Sequence, residues 1–406
     1  MTRRGVAVLA MGLSVWVVAW LFGSRALFPI AAGLVLAVPV AIVWVRLSRQ
    51  RLAVTRSWEG HALVEGGSVD VELRVEPSSR IPVPAAVAHE SIGRLGERAV
   101  DLRRRDGVYV GSYTLRNLSR GRHVFEPLRV SVSDPWQLAE ASLRANVPEV
   151  LVVRPEIVEL DGLFSDAGAT LADGRRLPLR RPAGLEFHTV RNHMPGESLR
   201  RVHWPSTARM RTLMVKDFED APRDEVAVLL DGDAAGVAGD APNSSFDVAV
   251  RAAGSILRAH VRAGHPAVLV LNTRAREIES VASEGSDWGR ALDILAGAMP
   301  DARTPASALL DSADGPAARS LELVVVTSRL EPGLVRRLLE RTMSHRAVAL
   351  VHIDAPTFAG RASTPQPDLL RLQAAGVPIA VVRRGDDLRE ALGQIHATSR
   401  SENAIA

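Results

Sequence analysis

Two uncharged apolar runs at the start of the chain constrain its fold most strongly. They cover residues 6–22 and 26–45, and only three residues separate them. At about 1.5 Å rise per residue, runs of this length reach across the roughly 30 Å hydrocarbon core of a bilayer. A cleaved signal peptide would explain the first run but not a second full-length run directly after it. The sequence therefore predicts a transmembrane helical hairpin within residues 1–50.

Arginine residues flank this hairpin unequally. The two outer ends carry Arg3, Arg4, Arg46, Arg49, Arg51 and Arg56, whereas Arg25 alone lies in the turn. Because positively charged flanks remain in the cytoplasm, the asymmetry predicts that both termini are cytoplasmic. The expected location is the cell membrane, crossed twice, with the lipid bilayer as the first partner.

The composition narrows the classes of function. A chain of 406 residues has room for a membrane anchor and two or three soluble domains. It contains no cysteine, which excludes disulfides, thiolate nucleophiles and cysteine-ligated zinc. The net charge is +4, and the 50 basic residues are scattered among 46 acidic ones. Because nucleic-acid-binding proteins cluster their cations on one face, we expect no nucleic-acid partner.

Residues 53–155 show the pattern of a β-rich domain. Residues 68–75 alternate between apolar and polar side chains, which is the period of a half-buried strand. Further strands are predicted at residues 107–115, 123–132 and 150–154, between turns rich in Gly, Pro and Ser. About 100 residues of short strands with this spacing predict a β-sandwich.

Residues 221–400 show a different pattern, in which continuous apolar strands alternate with amphipathic helices. The predicted strands cover residues 226–230, 267–272, 321–327, 347–353 and 379–383, and the predicted helices cover residues 244–263, 287–298, 332–343, 368–375 and 387–396. Ser244 and Asp247 form a predicted capping box at the start of the first helix. Strands that are apolar on both faces predict a doubly wound α/β domain with a parallel sheet.

This α/β pattern is similar to a von Willebrand factor A-like fold. In that fold a metal site beyond the first strand has the sequence Asp-x-Ser-x-Ser, and the corresponding residues here are Asp231-Gly232-Asp233-Ala234-Ala235. Both hydroxyl ligands are missing, and two carboxylates alone predict weak binding of a hard cation. Asp231 and Asp233 are thus weak metal candidates, and solvated acids at a strand end are the alternative. The loops beyond the carboxyl ends of the strands are the predicted partner surface.

Residues 184–218, inside a segment at residues 156–220, form a dense block of Arg, His, Gly and aromatic side chains. Three interpretations of this block remain open. Its arginines can form a structural network with acidic side chains and backbone carbonyls, or they can bind an anion or a partner. His188, His193 and His203 can serve catalysis or a metal, although their spacings of five and ten residues match no common metal motif.

Fixed spacings within the block carry a resemblance to a known family. They involve Gly184, Glu186, Phe187, Arg191, Pro195, Gly196, Arg200, Trp204, Ala208, Arg209 and Val215. At these positions the chain resembles the bacterial family catalogued as domain of unknown function 58. His193 and Glu197 depart from the family, which often carries Tyr and Asp there. The apolar runs, the β-rich domain, an Arg-Gly-Arg turn and an Asp-Pro-aromatic element upstream agree with the organisation of the family.

The resemblance implies a membrane protein without an established enzymatic activity. Members of the family accompany AAA-type ATPases of the MoxR group, together with von Willebrand factor A-like and transglutaminase-like proteins. We therefore expect a membrane-anchored, non-enzymatic adaptor or assembly protein in protein maturation or cell-envelope processes. A MoxR-type ATPase is its expected protein partner, and no cofactor is expected.

Two other classes of function stay open at this point. One is a metal-dependent enzyme or a metal-switched adhesion module using Asp231 and Asp233. The other is an anion or nucleic-acid binder acting through the Arg-rich block. A structural or partner-binding role is expected for Gly184, Glu186, Phe187, Arg191, Pro195, Gly196, Glu197, Arg200, His203, Trp204, Ala208 and Arg209. Trp204 is expected to be buried, so that its truncation would destabilise the fold by a few kcal/mol.

Overall fold

The chain divides into two compact units, Met1–Glu156 and Ile157–Ala406, each with its own hydrophobic core. The computed structural model describes residues 1–47, 52–59, 63–77, 85–160, 187–192, 204–210, 212–218, 225–312, 315–363 and 365–393. Residues 194–197 read Met-Pro-Gly-Glu, a sequence that predicts a turn, and they lie outside this part of the chain.

The first unit begins with two packed helices, α1 (Arg3–Leu21) and α2 (Leu27–Leu47). They approach closely, because a Cβ added at Gly12 would lie 2.9 Å from a side-chain atom of α2. Trp16 and Phe28 meet edge to face with their ring centroids 5.4 Å apart. The predicted helical hairpin is therefore confirmed, and both helices are long and apolar enough to cross a membrane.

Ten strands are described in the rest of this unit. They are β1 (Leu52–Trp58), β2 (Leu63–Val64), β3 (Ser68–Pro77), β4 (Ala85–Ser91), β5 (Glu97–Arg105), β6 (Val108–Arg116), β7 (Gly121–Val124), β8 (Leu128–Ser133), β9 (Glu140–Ala145) and β10 (Val150–Arg154). Seven of them form a sheet in the order β1-β3-β6-β5-β4-β8-β9, and β2-β10-β7 form a second sheet. All neighbours in the larger sheet are antiparallel.

The predicted strand at residues 123–132 is wrong as a single element. The chain leaves β7 at Phe125, whose backbone N–H donates to the carbonyl oxygen of Glu149 at 3.0 Å. Pro127 has no N–H to offer a ladder, so pairing resumes only at β8. By contrast, the alternation at residues 68–75 is confirmed, since its apolar side chains are buried in the core while the polar ones are not.

The motif segment of the second unit contributes three short elements. A hairpin-like pair joins β11 (Phe187–Asn192) and β12 (Met214–Phe218) in antiparallel register, and α3 (Trp204–Met210) lies between them in sequence. Residues 212–218 alternate in the manner of a strand, and β12 lies within them, whereas β11 was not predicted. This segment therefore has a β partner that the run of alternating residues did not reveal.

The rest of the second unit is an α/β domain. Its strands are β13 (Val226–Asp231), β14 (Ala267–Asn272), β15 (Ile278–Val281), β16 (Glu322–Thr327), β17 (Ala347–Ile353) and β18 (Ile379–Val382). Its helices are α4 (Ser245–Arg262), α5 (Ser286–Gly297), α6 (Ser307–Asp311), α7 (Pro316–Arg319), α8 (Pro332–Met343), α9 (Ala355–Phe358), α10 (Pro367–Ala374) and α11 (Leu388–Gly393). The five predicted strands and the helices between them are confirmed to within a few residues.

These six strands form one mixed sheet in the order β15-β14-β13-β16-β17-β18. Five strands are parallel, and β15 alone pairs antiparallel, at one edge. Alternate residues of the strands enter two separate core clusters, one with α4 and α5 and the other with α8 and α10. The sheet is therefore covered by helices on both faces, as the apolar strands predict.

Helix α4 begins where the sequence predicts it. The Ser244 hydroxyl accepts from the N–H of Asp247, and the Asp247 carboxylate accepts in return from the N–H of Ser244. This reciprocal capping box fixes the helix start directly after the first strand and its loop. The helix then lies on the sheet with a wide apolar face, because Ala249, Val250 and Leu257 are all buried.

Candidate functional site

The carboxyl ends of three parallel strands bring polar side chains together in the α/β domain. Asp231, Asn272 and Thr327 are the last residues of β13, β14 and β16. β13 lies at the centre of the sheet, between β14 and β16. The chain passes from β13 to β14 on one side and later resumes at β16 on the other, so the loops diverge here. Ligand crevices in open α/β sheets lie at such a switch point.

Asp231 is the centre of this cluster. One carboxylate oxygen accepts a hydrogen bond from Nδ2 of Asn272 at 2.8 Å, and the other accepts from Oγ1 of Thr327 at 2.8 Å. The side chain is buried, with 7% of the residue exposed. Burial raises the pKa of Asp231 above its ordinary value, and the hydrogen bonds from Asn272 and Thr327 only partly oppose this shift. Among the described residues, the donors to this carboxylate are all neutral.

The second acid of the cluster has a cationic partner. Oδ2 of Asp233 lies 2.8 Å from the guanidinium of Arg329. Its other oxygen accepts from the backbone N–H of Ala235 at 2.9 Å, which caps a short 3₁₀ turn. The backbone N–H of Arg329 in turn donates to Oγ1 of Thr327 at 3.0 Å. Arg329 therefore supplies from within the chain the positive charge that a bound cation would bring to Asp233.

A glycine lets these loops approach each other. A Cβ at Gly232 would lie 2.6 Å from the carbonyl oxygen of Asn272, a distance that side-chain atoms do not tolerate. The N–H of Gly232 donates to that same carbonyl oxygen at 2.9 Å. The loop after β13 is thus fixed against the end of β14, and Asp231 and Asp233 are held in a rigid frame.

Buried polar atoms that lack a hydrogen-bond partner among the described residues lie at the same edge of the α/β sheet. Within the described ranges, Oδ1 of Asn272 and Oγ1 of Thr273 are buried without a hydrogen-bond partner. Asp354, which follows β17, is 3% exposed, and its Oδ2 lies 3.7 Å from Nε of Arg383. Buried polar atoms without partners cost stability. An edge that keeps several of them beside a carboxylate is suited to holding a polar group of a ligand or a partner.

The structure places only part of the predicted motif. Gly184, Glu186, Pro195, Gly196, Glu197, Arg200 and His203 lie outside the described residues, as does His193. Phe187, His188 and Arg191 lie in β11, where the backbone alone is described. Ala208 and Arg209 are exposed on α3. Among the described residues no three His, Asp or Glu side chains are grouped so that they could hold a metal ion.

The expectation that Trp204 is buried is wrong, since 64% of this residue is exposed. Helix α3 is attached to β12 through Thr207, whose hydroxyl accepts from the backbone N–H of Met214 at 3.0 Å. Trp204 is the first residue of the helix and lies outside that contact. It is therefore a surface side chain, available to a partner, and its truncation is expected to leave the melting temperature nearly unchanged.

Two residues of the site were missed by sequence reasoning. Arg329 lies 96 positions from Asp233, and no spacing rule connects them. Asn272 carries a weak signal, because a polar residue ends a strand that is otherwise buried and apolar. Since parallel strands end at the same edge of a sheet, a search for polar residues directly after such strands would have joined Asn272 to Asp231.

Together, these features define a protein with two helices able to cross a membrane, a β domain with a large antiparallel sheet, and an α/β domain with a mixed sheet and a polar switch-point cluster. Residues 189–360 match the model of the family described as "Protein of unknown function DUF58", and over this range the chain is similar to that family. The resemblance noted in the motif block is thereby confirmed, and the match extends through the switch-point cluster.

One relative is the "Uncharacterized protein YeaD" of Bacillus subtilis (strain 168), which is 26% identical over 220 residues. The match covers 54% of this chain, and the chain spans about half of that relative, 53% of its length. A solved structure titled "Crystal structure of Br derivative BhCBM56" matches 26% of this chain and 97% of its own, with 13% identity and a TM-score of 0.16. "Cwp6 from Clostridium difficile" matches 84% and 55%, with 8% identity and a TM-score of 0.15. Scores this low support no statement about the fold.

Proposed function

We propose that this chain is a membrane-anchored, non-enzymatic adaptor or assembly protein that works with a MoxR-type AAA ATPase. The observation that carries the anchoring is the outward face of the hairpin. Trp20 is 73% exposed and Leu21 is 65% exposed, and both belong to α1, which has the length and hydropathy of a membrane span. Apolar surface of this extent is stable in lipid and unstable in water.

Two finer assignments of fold belong to this proposal. The strand order β15-β14-β13-β16-β17-β18, with one antiparallel edge strand, supports a von Willebrand factor A-like α/β domain. The shared core of β1, β3, β4, β5, β6 and β8 supports a β-sandwich for the first soluble domain, because strands from both halves of the larger sheet enter one cluster. Both assignments favour binding modules joined to an anchor.

The switch-point cluster supports a docking role for the α/β domain. Its carboxylates already have partners, since Asn272 and Thr327 donate to Asp231 and Arg329 pairs with Asp233. A metal-dependent activity would need Asp233 to exchange Arg329 for a cation. Protein docking needs only that the exposed guanidinium and the neighbouring loops meet a complementary surface.

The test is reconstitution of the pair. The full chain, solubilised in mild detergent, is mixed with a purified MoxR-type ATPase of the same organism and passed over a sizing column. We expect co-elution of the two proteins, which Arg329→Glu weakens. The matched control is Arg336→Glu, an exposed arginine on α8 of the same domain that also has an acidic partner.

The outcomes separate the parts of the proposal. Failure of the two proteins to co-elute under any nucleotide condition would remove the ATPase as partner. Equal weakening by Arg329→Glu and Arg336→Glu would move the docking surface away from the switch point. Turnover of a small molecule by the purified chain would remove the non-enzymatic assignment.

The cation-dependent alternative rests on one observation, the convergence of Asp231, Asp233 and Thr327 at a single strand edge. Oxygen ligands in this arrangement suit a hard cation such as Mg²⁺. Calorimetry of the full chain with Mg²⁺ and Mn²⁺ tests it. A heat signal that disappears in Asp233→Asn would favour a metal-switched module over the adaptor.

A further inference from the structure

The loop between β8 and β9 is attached to the membrane hairpin. The backbone N–H of Thr2 donates to the carbonyl oxygen of Leu138 at 3.0 Å, and Oγ1 of Thr2 lies 2.5 Å from the carbonyl oxygen of Gln137. The guanidinium of Arg4 donates to Oε1 of Gln137 at 2.6 Å. A Cβ at Gly5 would collide with the Leu138 carbonyl oxygen, so the loop touches the backbone of α1 itself.

Apolar packing fixes the position of the β8–β9 loop along the two helices of the hairpin. Leu138 and Ala139 form a buried cluster with Ala41 and Val45 of α2, and Val8 of α1 packs against it. These helix residues lie in the first two turns of α1 and the last two turns of α2, at the open end of the hairpin. If the hairpin spans a bilayer, this end lies at the lipid–water interface, and the loop lies there with it.

Trp136 is held at this level with its side chain outward. Its backbone N–H donates to Asp134 at 3.0 Å, and the N–H of Ala139 donates to the other carboxylate oxygen of Asp134 at 2.6 Å. Trp136 is two residues from Leu138, hence within about 8 Å along the chain, and it is 67% exposed. Tryptophan is enriched at membrane interfaces because its ring is apolar and its N–H is polar.

The register of the sheet brings a basic hairpin tip to the same end. Ala86 pairs with both Leu102 and Val132, so the continuation of β5 past Leu102 runs beyond the end of β8. That continuation is the exposed run Arg103–Arg104–Arg105, followed by a tight turn at Asp106 and Gly107 with φ of 51° and 89°. Three guanidinium groups therefore project near the end of the sheet that carries the β8–β9 loop.

The entry of the chain into the sheet agrees with this placement. β1 begins at Leu52, five positions after α2 ends at Leu47. Leu52 pairs with Pro77 at the end of β3, next to the β5–β6 turn in the register of the sheet. Three separate features, the β8–β9 loop, the arginine run and the start of β1, thus lie at one end of the β domain, beside the hairpin.

We propose that this end of the β domain is a docking surface for an anionic bilayer. Trp136 inserts among the lipid headgroups beside the hairpin, and Arg103, Arg104 and Arg105 bind headgroup phosphates. The proposal rests on the proposed membrane anchoring. It adds that the β domain lies against the bilayer in one orientation, since arginines near an anionic surface are attracted to it.

The test uses the absence of cysteine from the chain, which makes a single introduced cysteine the only labelling position. The full chain is reconstituted in vesicles of phosphatidylcholine with or without phosphatidylglycerol. A nitroxide is placed at Pro135→Cys, beside the intact Trp136, or at Glu97→Cys. Glu97 is the exposed first residue of β5, the strand that leads to the arginine run, and it lies roughly 26 Å from Arg105 at the other end of the strand, at about 3.3 Å per residue.

At position 135 we expect the ratio of oxygen to nickel-chelate accessibility to be several-fold higher than at position 97. This difference should be larger in phosphatidylglycerol vesicles. Trp136→Ala should abolish most of the difference, and replacing all three arginines by Gln should abolish its dependence on phosphatidylglycerol. Both changes affect exposed side chains, so folding is preserved.

A third label, at Val17→Cys in α1, separates this inference from the anchoring. If position 17 is lipid-accessible but position 135 behaves like position 97, the docking surface is overturned while the anchor stands. If position 17 is not lipid-accessible, the membrane anchoring itself fails. A difference at position 135 that survives Trp136→Ala would also overturn the assigned role of the tryptophan.

Discussion

Two buried acids of this chain have opposite surroundings. Glu90, in the β domain, is fully buried and accepts from Nε of Arg56 and from the hydroxyl of Tyr113. Asp231, at the edge of the α/β sheet, is also buried but receives neutral donors only. Removing one partner of a buried ion pair strongly destabilises the fold, because the other charge is left uncompensated. A buried charge that has no ionic partner destabilises the fold by its own desolvation. The first acid is therefore suited to stability and the second to binding.

The partner of Glu90 is held from several sides. Arg56 donates from one guanidinium nitrogen to the carbonyl oxygen of Val147 at 3.0 Å. Its guanidinium carbon lies 4.9 Å from the centroid of the Phe125 ring, which stacks on Trp58. Burial, and then the hydrogen bond to Glu90, raise the pKa of Tyr113 above its ordinary value. Within the described ranges, no arginine pairs with Asp231 in this way.

The largest effect is expected from breaking the buried pair. Glu90→Ala should lower the free energy of unfolding by about 3 kcal/mol or more, because it removes the buried partner of Arg56. The remaining acid, Glu149, lies 3.6 Å from the guanidinium and is partly exposed. Urea unfolding of the solubilised chain measures this change. The matched control is Glu72→Ala in the same domain, where the exposed pair with Arg74 at 3.0 Å should contribute less than about 1 kcal/mol. Equal destabilisation by the two substitutions would show that the buried pair contributes no more to stability than the exposed pair.

A second test concerns a buried base in the α/β domain. Burial, with a smaller contribution from His265, lowers the pKa of His260 to about 4. Both its ring nitrogens are without a partner among the described residues. The unfolded histidine binds a proton near pH 6.5, so unfolding takes up a proton between these values. The contribution of His260 to the free energy of unfolding should therefore fall as the pH is lowered through this window, by at most about 3 kcal/mol. Glu322, whose pKa burial raises to about 7, contributes in the opposite sense.

His260→Leu should remove the contribution of this histidine between pH 6.5 and 4, whereas His265→Gln, which changes an exposed side chain, should leave most of it. Unfolding curves at successive pH values measure both. An unchanged slope in His260→Leu would show that this histidine is not the group that titrates.

A smaller change is expected at the acid of the switch point. Asp231→Asn should cost about 1 kcal/mol or less, since the loss of an acceptor is offset by removal of a buried charge. Because burial raises the pKa of Asp231, the folded chain keeps that proton to higher pH than the unfolded chain. Its ionisation thus lowers stability as the pH rises above 3.8, and the Asn variant should lack this decline. A loss as large as that of Glu90→Ala would contradict the comparison.

The smallest effect on stability is expected from Arg329→Ala. The ion pair with Asp233 is largely exposed, so its removal should cost less than about 1 kcal/mol. The variant leaves Asp233 without a cation and should bind Mg²⁺ more tightly than the unaltered chain in calorimetry. Identical titrations of the two proteins would show that Arg329 does not take the place of a metal.

The hydrophobic periodicity of the sequence was sufficient to predict the elements that depend on local residues. Helix α8 and strand β17 have the predicted bounds, and the capping box of α4 is local to four residues. The antiparallel edge strand β15 was missed because it is short and only one of its four residues is buried. A pattern of burial cannot reveal a strand that hardly enters the core.

The contacts that define the sites are distant in sequence. Arg56 and Glu90 are 34 positions apart, and Thr2 and Leu138 are 136 positions apart. Such pairs depend on the register of the strands and on the docking of the hairpin. Neither can be predicted from residues that are close together in the sequence. The residue types of Asp231 and Asp233 could be recognised, but the pairing of Asp233 with Arg329 could not.

The central claim is that the two N-terminal helices anchor the chain in a membrane. The most direct test is fractionation of cells that express the full chain, followed by a wash of the membranes with alkaline carbonate. We expect the protein to stay in the washed pellet, and a variant without residues 1–47 to move to the supernatant. Release of the full chain by carbonate, or its recovery with the soluble proteins before the wash, would contradict the claim.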